Sequence, residues 1–195
     1  MDRSSTPAIS VGPPVRRAAG ASLAAVALGL LGVGLLAAPP VRAAGPAPGH
    51  VTRLVVRKGA HTLTLYDGAR ALGAYRVAIG PGGAGPKLRE GDKVTPTGRY
   101  HVISRNPSRY RVFLRLDYPN AADRARFAEL KRTGALGASA TIGGSIGIHG
   151  APPERLAKPL HKKVDWTAGC VALDDDEIVA LSARVPDGTP VDIED

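Results

Sequence analysis

The chain has 195 residues, of which 26 are basic and 17 acidic, a formal charge of +9, and one cysteine. That length holds one ordinary domain rather than several. A single cysteine excludes an intramolecular disulfide framework, and no Cys/His cluster at ligand spacing points to a structural metal.

Arg16 and Arg17 precede an Ala/Gly/Leu/Val run from Ala18 to Ala38, then Pro39-Pro40 and the small-residue stretch Val41-Arg42-Ala43-Ala44. This is the layout of a secretory signal, with Val41 and Ala43 at the −3 and −1 positions of a cleavage site. Residues 1–44 are therefore expected to be a signal peptide; retention as an N-terminal anchor is the alternative, because the run is long enough to span. The Arg pair lacks the polar residue before it and the bulky apolar pair after it that a twin-arginine signal carries. Export places the domain in the periplasm or cell wall. The basic side chains are scattered, as on a solvated surface, and suit an anionic wall partner rather than nucleic acid. Membrane contact is expected only through the first segment, if it stays uncleaved.

A linker over 45–51 contains Gly45-Pro-Ala-Pro-Gly49, and the domain proper runs over 52–195. Thr52 to Val56 is a short apolar run, and His61 to Tyr66 alternates with period two, as a half-buried strand does. Asp67-Gly68 signals a hairpin, since both residues tolerate positive φ. The return strand is expected from Ala71 to Ile79. Gly98 to Ile103 and Arg111 to Leu116 read as further strands. Asn120 is an N-cap for a helix over Ala121 to Arg132, stopped by Gly134. Ile146 to Ile148 is a short strand leading into His149. Asp174 with Glu177 makes a capping-box start for a second helix, with Ile178, Leu181 and Val185 on one face. Val191 to Ile193 closes the domain. The expectation is a mostly-β domain with two helices on its edge.

The chemistry lies in His149-Gly150 and, downstream, Thr167-Ala168-Gly169-Cys170. An exported domain usually pairs its cysteines or has none, so a solitary Cys170 is either a reactive thiol or a buried structural one. A thiol becomes a nucleophile when a base takes its proton, and histidine is the usual base at neutral pH. His149, at a strand end, fits that role; His161, in a polar stretch that reads as exposed loop, is the competitor. Gly169 allows a tight turn before Cys170, whose successive N–H groups at Ala168, Gly169 and Cys170 can face a developing oxyanion. With no carboxylate beside His149, the Gly150 carbonyl is the nearest group to orient the ring. Gly80 to Lys87 imitates a phosphate-binding loop, but Pro86 displaces the lysine and Leu88 replaces the hydroxyl residue that such a loop requires. The run Asp174 to Glu177 is explained by the helix macrodipole rather than by a metal.

His149-Gly150, a gap, and Thr167-Ala-Gly-Cys170 closely resemble the signature of the L,D-transpeptidase (YkuD, ErfK/YbiS/YcfS/YnhG) family. Gly85-Pro-Lys87, Gly91-Asp92, Thr95-Pro-Thr-Gly98, Tyr118-Pro-Asn-Ala-Ala-Asp123 and Asp165-Trp-Thr-x-Gly-Cys-Val-Ala-Leu173 are similar to its YafK-like branch. The resemblance implies a β-sandwich-like fold with a few peripheral helices and an enzyme needing no cofactor and no metal. It implies that Cys170 attacks the carbonyl of the third residue of a peptidoglycan stem peptide, with His149 as base and then acid. Gly150 would orient His149, and Thr167, Ala168 and Gly169 would line the oxyanion and substrate side. The thioester would pass to an amine on a second stem peptide or a wall-anchored lipoprotein, or to water. Acylation by carbapenem β-lactams is implied as well. Ala168 and Ala172 stand where many members carry a polar residue and an arginine, and this bears on acceptor choice.

Overall fold

The computed structural model describes residues 48–155 and 157–195. The expected signal segment lies outside the described residues. Val51, at the end of the expected linker, is already a core residue at 1% exposure.

Strand β1 (Arg53–Arg57) pairs antiparallel with β2 (Thr62–Asp67), which pairs antiparallel with β3 (Arg70–Arg76). In β2 the apolar positions Leu63 and Leu65 are buried while Thr62, Thr64 and Tyr66 are not, so the period-two pattern faces the core as expected. Asp67 and Arg70 bracket the turn, where Gly68 has φ +57°. The ladder of β3 ends at Arg76, short of the expected Ile79. Val77 N still donates to His61 O at 2.9 Å, beside β2, and from there Ala78 bridges Ala172 instead.

Strand β4 (Gly98–Ser108) joins the two halves of the domain. Its first residues pair with β8 (Pro190–Glu194), which lies parallel to β1; its later residues pair with β5 (Arg111–Leu116). The register shifts between Val102 and Ser104, which allows one strand to bend from one layer to the other. It also runs past the expected Ile103 and through Pro107. Strand β5 pairs with β6 (Gly147–His149), and β6 pairs parallel with β7 (Val171–Ala172), a two-residue strand that periodicity could not reveal.

The strand order is thus β3-β2-β1-β8-β4-β5-β6-β7. The two ends of this sheet meet where Ala172 N donates to Ala78 O at 2.8 Å and Ala78 N to Ala172 O at 3.0 Å. The sheet therefore folds over itself into two layers, and Leu54, Leu63, Leu65, Tyr100, Leu114, Ile148, Val171 and Val191 fill the space between them. This is the mainly-β, sandwich-like architecture that was expected.

Two helices sit at the periphery. In α1 (Ala121–Arg132), Asn120 Oδ1 accepts from Ala122 N at 2.9 Å and Asp123 N at 3.2 Å, and only Asp123 is buried. In α2 (Asp175–Ser182), Glu177 accepts from the Asp174 N–H at 3.0 Å, while Ile178 and Leu181 enter the core. Among the described residues no helix is long and apolar enough to cross a membrane.

Candidate active site

His149 is the last residue of β6 and is 3% exposed. Its ring lies among aromatic neighbours: Tyr110 with centroids 4.5 Å away, Trp166 at 5.7 Å and Phe113 at 6.1 Å. Its Nδ1 lies 2.8 Å from the Gly150 carbonyl oxygen. A carbonyl only accepts, so Nδ1 carries the proton and Nε2 is left as the basic nitrogen. Burial pushes the imidazole below its ordinary value and the nearby His161 adds to this, while the bond to Gly150 opposes them.

Gly150 is required by its surroundings. A Cβ there would lie 2.6 Å from the Tyr110 carbonyl oxygen and 2.8 Å from Asp175 Oδ1. Its N–H donates to that same Tyr110 oxygen at 2.9 Å, which ties the turn of the β4–β5 hairpin to the His149 end of β6.

Cys170 immediately precedes β7. Ile148 pairs with Val171 and His149 with Ala172, and both Ile148 and Val171 are 0% exposed. Side chains alternate along a strand, so the residues flanking these core positions, His149 and Cys170, lie on the opposite, shared face. The thiol is partly buried and donates to the Ser145 carbonyl at 3.6 Å. Ser145 holds φ +55°, a left-handed conformation uncommon for a residue with a side chain. Burial raises the Cys170 thiol above its ordinary value, partly offset by a backbone hydrogen bond from Gly147 and by the charge of Lys87.

The turn before Cys170 is held from inside. Thr167 Oγ1 donates to the Cys170 carbonyl at 2.7 Å and accepts from Gly169 N at 3.2 Å. Gly169 has φ +129°, and a Cβ on it would meet the Val94 carbonyl oxygen at 2.7 Å, so only glycine fits. Upstream, Trp166 N and Thr167 N both donate to Ile79 O, at 3.1 and 3.2 Å.

The L,D-transpeptidase catalytic domain model, YkuD, matches residues 51–193. The chain belongs to this family. YafK of Escherichia coli (strain K12) is 39% identical over 82 residues, covering 38% of this chain and 33% of that protein. The helical cell shape determining protein Pgp2 of Campylobacter jejuni shares the fold, with TM-score 0.56 and 24% identity over 75% of this chain and 48% of that one. The chain thus spans a third of the curated relative that it matches and about half of this solved neighbour.

Within this L,D-transpeptidase domain the second histidine is not where its polar surroundings suggested. His161 is 3% exposed, not on an open loop, and its Nε2 lies 2.7 Å from Asp174 Oδ1. The 3₁₀ turn Lys158–Leu160 directs it inward, where it meets the edge of Trp166 at 6.4 Å. Lys162 also binds Asp174, at 2.9 Å, and contacts Glu177, while Lys158 contacts Asp175. The acidic start of α2 therefore anchors the segment between His149 and Cys170, beyond serving the helix dipole.

Four contributors were not foreseen from the sequence. Tyr110 and Phe113 reach His149 through the β4–β5 hairpin and the Phe113–His149 register, which no local pattern encodes. Ser145 accepts from the Cys170 thiol from 25 positions upstream, and the charge of Lys87, 83 positions upstream, offsets part of the upward push that burial gives the thiol. The Gly80 to Lys87 stretch is indeed a loop, and its lysine pairs with Asp92 at 2.6 Å.

Proposed function

We propose that this chain is an exported thiol enzyme that remodels peptidoglycan, with Cys170 as nucleophile and His149 as base. One observation carries the reading. The Gly150 carbonyl holds Nδ1–H of His149, which presents Nε2 on the face shared with Cys170. Such base-plus-orienting-group geometry is what activates a nucleophile.

Burial lowers His149 and raises Cys170, so the resting pair is neutral thiol and neutral imidazole. As Sγ attacks the carbonyl carbon of the third stem residue, Nε2 takes the thiol proton. The developing oxyanion is met by the N–H groups of Ala168 and Cys170, since that of Gly169 is engaged by Thr167. Collapse breaks the C–N bond, and the imidazolium returns the proton to the departing amino group of the terminal residue. An incoming amine then attacks the thioester, loses its proton to Nε2, and forms the new amide as sulfur leaves. Water in place of the amine gives a trimmed stem, and a lipoprotein-linked stem would be released by the same path. The segment through Ala44 serves export, whether cleaved or kept as an anchor.

The test is incubation of the purified protein with disaccharide tetrapeptide, with and without a second stem carrying a free amine, followed by mass spectrometry. Loss of the terminal residue together with a cross-linked product supports transfer; loss without cross-linking supports hydrolysis. No product of either kind, with intact fold, overturns the reading.

A further inference from the structure

An almost wholly apolar cleft of about 410 Å³ lies beside the His149 end of the site, and the steps above do not use it. Pro152, Leu160, Val164 and Trp166 wall it, and Leu160 and Val164 are large apolar side chains left exposed. Such side chains around a concavity mark a binding groove rather than a core. One wall joins the cleft to the candidate base. The centroid of the Trp166 ring lies 5.7 Å from that of His149 and 6.0 Å from that of Tyr110. A residue that acylates Cys170 carries its side chain one carbon from the reacting carbonyl, so that side chain sets out from beside these rings.

The mouth of the cleft carries one charge of each sign. Glu154 lines it, and Glu154 Oε1 accepts from Arg109 Nη2 at 3.3 Å. The Arg109 guanidinium lies over the Tyr110 ring, 5.2 Å from its centroid, and Tyr110 in turn stacks on His149. Nearby cations of the same segment are turned to α2 instead: Lys158 contacts Asp175, while His161 and Lys162 bind Asp174. With side chains 64% and 63% exposed, the Arg109–Glu154 pair adds little to stability. It opens at small cost, and each partner then turns to a ligand group of opposite charge. The ligand that matches is an aliphatic chain ending in a carboxylate and an ammonium together. A plain apolar residue would leave both charges unused, and an anion alone would meet Glu154 as well as Arg109.

We propose that Arg109 and Glu154 are a specificity-determining pair for the acyl donor. They receive the doubly charged end of the side chain of the residue that acylates Cys170, guanidinium on its carboxylate and carboxylate on its ammonium. The methylenes of that side chain lie along Leu160, Val164 and Trp166. This rests on the peptidoglycan reading; no bond is made or broken at the pair, which acts through binding of the donor.

The experiment is steady-state kinetics of the full chain on two stem tetrapeptides. One has diaminopimelate as its third residue; the other has lysine, which keeps the ammonium but lacks the terminal carboxylate. Wild type is expected to favour the first about tenfold in kcat/KM, as for one hydrogen-bonded contact between charged groups. Arg109→Gln is expected to abolish that preference through KM rather than kcat, and Arg109→Lys to keep part of it. Glu154→Gln is expected to raise KM for both donors, since both carry the ammonium. A role confined to holding the hairpin would lower activity on both donors alike and leave the preference intact. A preference unchanged in Arg109→Gln, a KM unmoved in Glu154→Gln, or a wild type that turns over both donors equally overturns the inference and leaves the peptidoglycan reading standing. A wild type inactive on both donors, with intact fold, overturns that reading and this inference with it.

Discussion

Tyr110 stacks on His149 with ring centroids 4.5 Å apart and planes 31° from parallel, while its backbone carbonyl binds the N–H of Gly150 at 2.9 Å. One hairpin residue therefore fixes both the imidazole and the glycine that orients it. The two contacts are separable, because the carbonyl survives any substitution of the ring. Tyr110→Ala is expected to lower kcat by up to about tenfold, as for loss of an aromatic pair worth about 0.5–1.5 kcal/mol. Tyr110→Phe should retain activity; steady-state kinetics on stem tetrapeptide check both.

For the proposed nucleophile, Cys170→Ser is expected to abolish turnover with the fold intact, since a hydroxyl ionises far less readily than a thiol. Incubation with a carbapenem is expected to add one drug mass to the intact protein, on the peptide spanning Thr167 to Leu173. The strained ring offers an activated carbonyl to sulfur, so the adduct should be absent from Cys170→Ala and slow to form in His149→Ala.

The two histidines should separate by what each variant loses. His149→Ala is expected to slow acylation by about two to four orders of magnitude, as for a general base. His161→Ala removes a buried partner of Asp174 rather than a group facing Cys170. Its expected effect is a lower melting temperature with a smaller loss of rate. A reversed order would make His161 the base.

The pH dependence follows from the two shifts. Protonated His149 cannot accept the thiol proton, and burial puts its titration below the ordinary 6.5. The acid limb of the acylation profile is therefore expected below pH 6.5, with full activity at neutrality. The same shift bears on stability: the unfolded chain binds that proton more readily, so acidification from 6.5 downward favours unfolding. Cys170 lies above its ordinary 9.0, so in the proposed reaction it starts as a thiol across neutral pH. Acylation rates and melting temperatures between pH 5 and 9 provide the check.

Gly169→Ala tests the turn. The residue sits at φ +129°, and the new Cβ would meet the Val94 carbonyl oxygen, a backbone atom that cannot swing away. A loss of about 1–3 kcal/mol in stability is expected, with activity falling because Cys170 is the next residue. Thermal unfolding beside carbapenem acylation measures both effects.

Much of the fold was legible because its signals are local. Alternation in Thr62 to Tyr66, the Asp67-Gly68 turn, the Asn120 cap and the Asp174/Glu177 capping box all depend on residues within a few positions of each other. Cys170 and His149 stood out as candidates too, through their residue types and their glycine neighbours. His161 was misplaced because a polar stretch ordinarily stays in water; here Asp174, Trp166 and a 3₁₀ turn draw it in.

By itself, then, the sequence determined the candidate nucleophile and base, most of the strands and both helices, since each is encoded in short-range pattern or in chemical type. Only the tertiary structure decided how these meet. The Ala78–Ala172 bridge closes the sheet, the β6–β7 register puts His149 and Cys170 on one face, and the hairpin delivers Tyr110. Ser145 accepts from the Cys170 thiol although the two are 25 positions apart. Such pairings arise from hydrogen bonding and packing between distant segments, and a linear chain carries no local mark of the partner that each residue will find.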